Sequence, residues 1–407
     1  MTAIRTRPLT ALLATLAIQV YASLAATAVA VLAPVIAPDF GLSANLVGVF
    51  VGLVYATAMT SALCSGTFIV RYGAIRVSQV SVLLCAAGLI LLPLATLLPA
   101  ALAILVIAPL ITGAGYGPIT PASSQILART TPPHRMGLTF SIKQTGVPAG
   151  VALGGAVLPA TMLAIGWETT LIAIALGSVA VALAARPIRA DLDAVLDRTR
   201  SFTLAATLRP LRKVFANRVL AELTVVSFFY ASLQMCLMSF LVVHLTEALR
   251  WSLVAAGFAL SAATVGGVVG RILWGAVADH FVRPRTLLGL LGLAAGGCSL
   301  ATAFYPADAP ATPLLVLSGL FGMTAIGWNG VQLAEVARHS APGEAGAITG
   351  ASAFVGFAGV VVGPPLFGAI AAATGAYRAS FVTMGIAIVT CGACVLVRSL
   401  RTAEPSP

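Results

Sequence analysis

The chain has 407 residues, of which 59% are hydrophobic and only 9% charged, with a mean hydropathy of +1.02. A soluble domain carries about 25% charged residues, so a water-soluble globule is excluded and a polytopic membrane protein is implied. The formal net charge of +11 does not indicate nucleic acid, because the basic residues are scattered through short loops instead of forming a stripe.

Arg5 and Arg7 precede an apolar run in the manner of a signal peptide. The run continues to about Val35, longer than a signal h-region, and is read as an uncleaved first span. At about 20 apolar residues per crossing, six spans are predicted over 10–37, 45–69, 76–98, 101–127, 136–164 and 168–186. Six more are predicted over 219–245, 252–278, 285–304, 312–335, 345–373 and 378–397. The polar segment 187–218 lies between the sets. The expected fold is all-α: an N-terminal six-helix bundle (1–186), a cytoplasmic linker (187–218) and a C-terminal six-helix bundle (219–407).

Lysine and arginine favour cytoplasmic loops. With the N-terminus inside, all 23 Lys and Arg residues fall on the cytoplasmic side except Arg250 and Arg378 in outer loops and two within spans, Lys143 and Arg271. This predicts an inner-membrane protein with both termini cytoplasmic.

A single ungapped offset pairs Tyr21 with Tyr230, Ser23 with Ser232, Gly66 with Gly275 and Arg76 with Arg285. It continues through Gly113 with Gly322, Gly137 with Gly346, Gly150 with Gly359 and Gly166 with Gly375. The halves are therefore read as copies. Parallel six-helix repeats suit a rocking transporter with its site between the halves.

The loop after the eighth span reads GRILWGAVADHFVRPR, residues 270–285. It resembles the signature loop of the major facilitator superfamily, with Arg271, Gly275, Asp279 and Arg285 in the motif's places and His280 where a basic residue is usual. The first-half copy, SGTFIVRYGAIR at 65–76, keeps Gly66, Arg71, Gly73 and Arg76 but has Val70 where the aspartate belongs. The resemblance implies alternating access by two bundles. It also implies that Asp279 gates by approaching a helix N-terminus, where the macrodipole is positive; the start of the eleventh span, near Gly343 to Gly346, is the expected partner. Gly275, Arg285, Gly66, Arg71 and Arg76 complete the gating set. Glycines 146, 150, 154 and 155 in the fifth span and 359, 363 and 368 in the eleventh have small-xxx-small spacing, and are read as sliding surfaces between the halves.

Lys143 and Arg271 lie in long apolar stretches, with no acidic residue within a helical turn. A charge at membrane depth costs roughly 2.5–3.5 kcal/mol and so normally faces water or a partner. No Asp or Glu lies at mid-depth in any span, which disfavours a cationic substrate and makes an organic anion the expected ligand. Arg271 is also part of the signature, where its role can be structural, and either side chain can snorkel to the surface. Gln144, Gln19, Tyr21, Tyr116, Tyr230, Gln234, Trp328 and Asn329 complete the candidate site. Oxalate-formate exchangers and monocarboxylate carriers are similar in the implied use of an eighth-span arginine, although the exchangers place their second cation on the eleventh span, not the fifth.

Six cysteines lie within apolar runs and are read as small hydrophobes. GAGYG at 113–117 lies inside a span, not after a strand, so a nucleotide loop is rejected. No cofactor, metal or enzymatic activity is expected. The resulting expectation is a monomeric secondary transporter, surrounded by lipid, that moves a small organic anion, a carboxylate, by exchange or proton-linked transport. The alternative is a drug or metabolite exporter with a mainly aromatic and apolar site.

Overall fold

The computed structural model describes residues 6–41, 47–97, 101–193, 196–199, 202–306 and 310–401, so Arg5, Arg200 and Asp308 lie outside the described residues. The first half consists of α1 (Pro8–Asp39), α2 (Val47–Tyr72), α3 (Ala74–Ala95), α4 (Ala101–Tyr116), α5 (Ile119–Thr130), α6 (Met136–Gln144), α7 (Gly146–Ile165) and α8 (Trp167–Ala184). Two short helices follow in the polar segment, α9 (Arg189–Leu192) and α10 (Leu204–Ala216). The second half consists of α11 (Arg218–Glu247), α12 (Leu253–His280), α13 (Pro284–Ala303), α14 (Ala311–Ala325), α15 (Asn329–Arg338), α16 (Ala345–Thr374) and α17 (Tyr377–Arg401). Twelve stretches among the described residues are long and apolar enough to cross a bilayer, making this a multi-pass membrane protein. All twelve predicted spans correspond to them.

Three spans are interrupted: the fourth between α4 and α5, the fifth at Thr145 between α6 and α7, and the tenth between α14 and α15. Gly166, between α7 and α8, and its repeat partner Gly375, between α16 and α17, both have positive φ (80° and 69°). Only glycine enters that region without a Cβ penalty, so it marks helix ends.

By contact the chain forms two units that cut across the sequence halves. The first comprises Met1–Thr131, Lys143–Asn217 and Val336–Phe354, and the second Pro132–Ile142, Arg218–Glu335 and Val355–Pro407. In the first unit α1 packs on α7 and α8, and α3 on α4 and α8; in the second α13 packs on α17 and α12 on α14.

The glycine stripes do not serve as sliding surfaces between the halves. Gly146, Gly150 and Gly154 face α1, and a Cβ at Gly150 would lie 2.7 Å from that of Ser23. Gly359 and Gly363 face α11, where a Cβ at Gly363 would lie 2.9 Å from that of Ser232. Each stripe lets a helix approach a neighbour of its own half, and the contact is repeated because Ser23 and Ser232 are equivalent.

Candidate functional site

Lys143 lies in the last turn of α6, one residue before its final residue Gln144. The helix is interrupted at Thr145 and resumes at Gly146, where a Cβ would lie 3.0 Å from the Cβ of Gln19. The glycine thus brings α1 close enough for Gln19 to reach the lysine. Lys143 is 1% exposed. Its Nζ donates to Gln19 Oε1 at 2.7 Å, to Gln144 Oε1 at 3.0 Å and to Thr120 Oγ1 at 3.4 Å. Thr120 Oγ1 also donates to Gln19 Oε1 at 3.3 Å, and Gln19 Nε2 to Ser23 Oγ at 3.3 Å. Each of these three acceptors is a neutral oxygen, and a charged acceptor in the same place would make a stronger bond to the ammonium.

Thr120 and Ser23 complete this network but were not expected as site residues. Ser23 was visible only as half of a repeat pair. Thr120 lies just beyond the Gly117–Pro118 interruption, a pattern that marks a helix break and could have flagged it.

The aromatic candidates in the first unit separate. Tyr116, the last residue of α4, is edge-to-face with Tyr55 of α2, with centroids 6.3 Å apart. Tyr55 was not anticipated. Tyr21 packs against Gly177 of α8, where a Cβ would overlap its ring.

In the second unit Arg271, 2% exposed, donates from Nε to the carbonyl of Ile326 at 3.2 Å. Trp274 Nε1 donates to the Met323 carbonyl at 2.8 Å. Both carbonyls belong to the end of α14, where the last C=O groups lack helical partners and the dipole is negative. Arg271 therefore supports the interrupted tenth span, as its place in the signature had allowed. Asn329 opens α15 and donates to Gln234 Oε1 at 3.1 Å and to the Ile326 carbonyl at 3.3 Å. Trp328 is edge-to-face with Tyr230 at 5.4 Å. The Tyr230 hydroxyl donates to the Leu288 carbonyl. Trp328 Nε1 is buried and has no acceptor among the described residues, a rare state for an indole N–H.

Among the gating candidates, Asp279 accepts from the N–H groups of Gly137 at 2.8 Å and Leu138 at 2.7 Å. It caps the first turn of α6, at the start of the fifth span, and not the eleventh span near Gly343 to Gly346. Gly137 and Gly346 are equivalent in the repeat, so the helix end that Asp279 caps is the counterpart of the expected one. At the eleventh span, Gly346 donates to Gln125 Oε1 at 2.8 Å, and Gln125 Nε2 donates to the Gly343 carbonyl at 3.1 Å.

The signature glycines admit these helix ends closely. A Cβ at Gly275 would lie 2.6 Å from Ser141 Cβ, and one at Gly66 the same distance from Ala347 Cβ. Arg285 donates to Glu222 Oε1 at 3.1 Å from Nε and 2.9 Å from a terminal nitrogen. Arg71 lies over the Phe202 ring, 4.9 Å from its centroid.

The backbone N–H groups of Ile75 and Arg76 donate to the two Asp193 carboxylate oxygens, each at 3.0 Å. Burial raises the Asp193 pKa above its ordinary value, while the α3 N–H groups and Arg189 pull it back.

No group of three or more His, Cys, Asp or Glu residues that could hold a metal occurs among the described residues. Monocarboxylate transporter 13 of Rattus norvegicus is 31% identical over 173 residues, 40% of each chain. An uncharacterised MFS-type transporter of Mycobacterium tuberculosis is 23% identical over 278 residues, 67% of this chain and 60% of that one. The chain thus spans less than two thirds of either relative.

In fold, the chain is similar to the human organic anion transporter MFSD10 (TETRAN), with a TM-score of 0.77 at 15% identity, covering 96% of this chain and 100% of that one. The E. coli fucose:proton symporter gives 0.73 at 14% identity, with 98% and 100% covered. The description Major Facilitator Superfamily matches residues 15–364 and again 223–407. The chain therefore belongs to the Major Facilitator Superfamily.

Proposed function

We propose that this protein is a secondary transporter of a small organic anion, a carboxylate, working by alternating access through exchange or proton-linked transport. The observation that carries this reading is the buried Lys143 ammonium, held by the neutral oxygens of Gln19, Gln144 and Thr120 in a chain with no mid-depth carboxylate in its spans. A substrate carboxylate would replace one neutral acceptor with a charged one, strengthening the hydrogen bond. The names of the rat monocarboxylate relative and the human organic anion transporter support the same substrate class. The distribution of Lys and Arg supports an inner-membrane location with both termini cytoplasmic.

Exporting an uncharged drug through aromatic contacts is the competing reading. The Tyr55–Tyr116 pair favours it, whereas the engagement of Tyr21 and Tyr230 in packing weighs against it. Thermal unfolding of purified wild type and Lys143→Gln across carboxylates, amines and neutral drugs separates the readings, since a native-state ligand raises Tm with concentration. Carboxylates should stabilise the wild type and not the variant, and the same carboxylate should show protein-dependent flux in vesicles. Equal stabilisation of both proteins by amines or drugs, without a carboxylate effect, overturns the reading.

A further inference from the structure

A second basic feature lies outside the Lys143 cluster. In the first unit, an open cleft of about 250 Å³ is lined by Arg76 and Gln79 of α3, Leu183 of α8, Leu83, and Arg186 and Arg189 from the segment leading into α9. Arg189 lies 3.9 Å from Asp193, whose carboxylate is already engaged by the α3 N–H groups. Arg76 and Arg186 are exposed and have no ion-pair partner among the described residues. The cleft therefore carries a net positive charge.

The remaining walls have a different chemistry. Leu83 and Leu183 are exposed apolar side chains on spans that cross the bilayer, Leu83 seven residues along α3 from Arg76 and Leu183 three residues before Arg186. Gln79 is buried and donates from Nε2 to the Ala182 carbonyl at 2.7 Å. Its Oε1 has no donor among the described residues, although a buried amide oxygen ordinarily finds one. The site thus combines cationic forks at the membrane boundary, an apolar strip running inward and a hydrogen-bond acceptor beside them.

We propose that this cleft between α3 and α8 binds an anionic phospholipid with a hydroxylated headgroup. The arginines hold the phosphodiester, Leu83 and Leu183 carry the start of an acyl chain, and a headgroup hydroxyl donates to Gln79. Arginine suits this role because its planar fork meets phosphate oxygens in pairs, and basic pockets at span ends recognise acidic lipid headgroups. A soluble phosphate would use the arginines alone and gain nothing from the leucines, so the apolar strip decides for lipid.

The test is lipid retention by the full-length protein in native mass spectrometry, titrated with dioleoyl phosphatidylglycerol, dioleoyl phosphatidylcholine and inorganic phosphate. Wild type should retain phosphatidylglycerol over phosphatidylcholine by roughly tenfold or more, and Arg76→Gln with Arg186→Gln should remove that preference. Arg186→Glu, a single change at an exposed side chain, should do the same while the lipid-free Tm stays near that of wild type. Arg209→Gln with Arg212→Gln on α10 should leave the preference intact. Undiminished preference in both cleft variants overturns the proposal. So does equal competition by inorganic phosphate, which would identify a site for small anions.

Discussion

Gln125 Oε1 accepts the N–H of Gly346 at 2.8 Å, in the first turn of the helix that the repeat makes equivalent to the one capped by Asp279. The first-half signature lacks its aspartate at Val70, and a neutral amide from α5 takes up the helix end instead. The two ends are thus held by unequal means. One has two charge-assisted bonds to a carboxylate, and the other a single amide reaching in both directions.

Charge-assisted bonds are worth about twice neutral ones. Asp279→Ala should therefore lower unfolding stability in detergent by roughly 1.5–3 kcal/mol, and Gln125→Ala by about 1 kcal/mol. Thermal and denaturant unfolding of the two variants side by side checks the order. Equal losses would mean that the Asp279 charge adds nothing at the α6 terminus.

Gln19→Leu should remove the shortest hydrogen bond to Lys143 and cost roughly 1.5–3 kcal/mol, because a buried ammonium loses an acceptor. An arriving carboxylate would fill the gap. The variant should therefore show a lower Tm without ligand and a larger upward shift than wild type with the carboxylate that stabilises the latter. Titrations on both proteins give the comparison.

Gly73 has φ of +95°, and a Cβ there would fall onto the Asp193 carboxyl group. Gly73→Ala should cost about 1–3 kcal/mol through backbone strain alone, with displacement of Asp193 adding to it. Asp193 also confers a pH dependence. Burial raises its folded-state pKa above the ordinary value of 3.8, so the folded protein binds more protons between the two values. Stability from this group is fully present below the unfolded pKa and is lost as pH rises through the folded one. Asp193→Asn should flatten that part of the Tm–pH curve.

Two ion pairs should respond differently to mutation. Glu222 and Arg285 are largely buried, at 5% and 15% side-chain exposure, so Glu222→Gln should cost roughly 3 kcal/mol by taking the charged acceptor from a buried pair. Lys213 and Glu344 are 38% and 37% exposed. Lys213→Gln should cost at most about 1 kcal/mol, and the difference should fade in high salt. Unfolding at low and high ionic strength distinguishes them.

The twelve crossings and the repeat were legible because both depend on composition along the chain. The interruptions at Thr145 and around Gly327 were not, since a hydropathy window counts apolar residues and is indifferent to where i→i−4 bonds lapse. Lys143 and Gln19 were visible as polar residues in apolar helices, but their meeting depends on the close approach of α1 at Gly146. Asp279 was recognisable as a helix cap, whereas its partner was misassigned because a loop motif does not say which N-terminus lies opposite. Tyr21, Tyr116 and Tyr230 looked alike in sequence, and their neighbours in space give them different surroundings.

The segments Pro132–Ile142 and Val336–Phe354 each pack within a unit otherwise built largely from the opposite half of the chain. Severing the polypeptide in the linker between α9 and α10 would leave two fragments, each still clasping a piece of the other. Co-expressed fragments should therefore copurify as a pair.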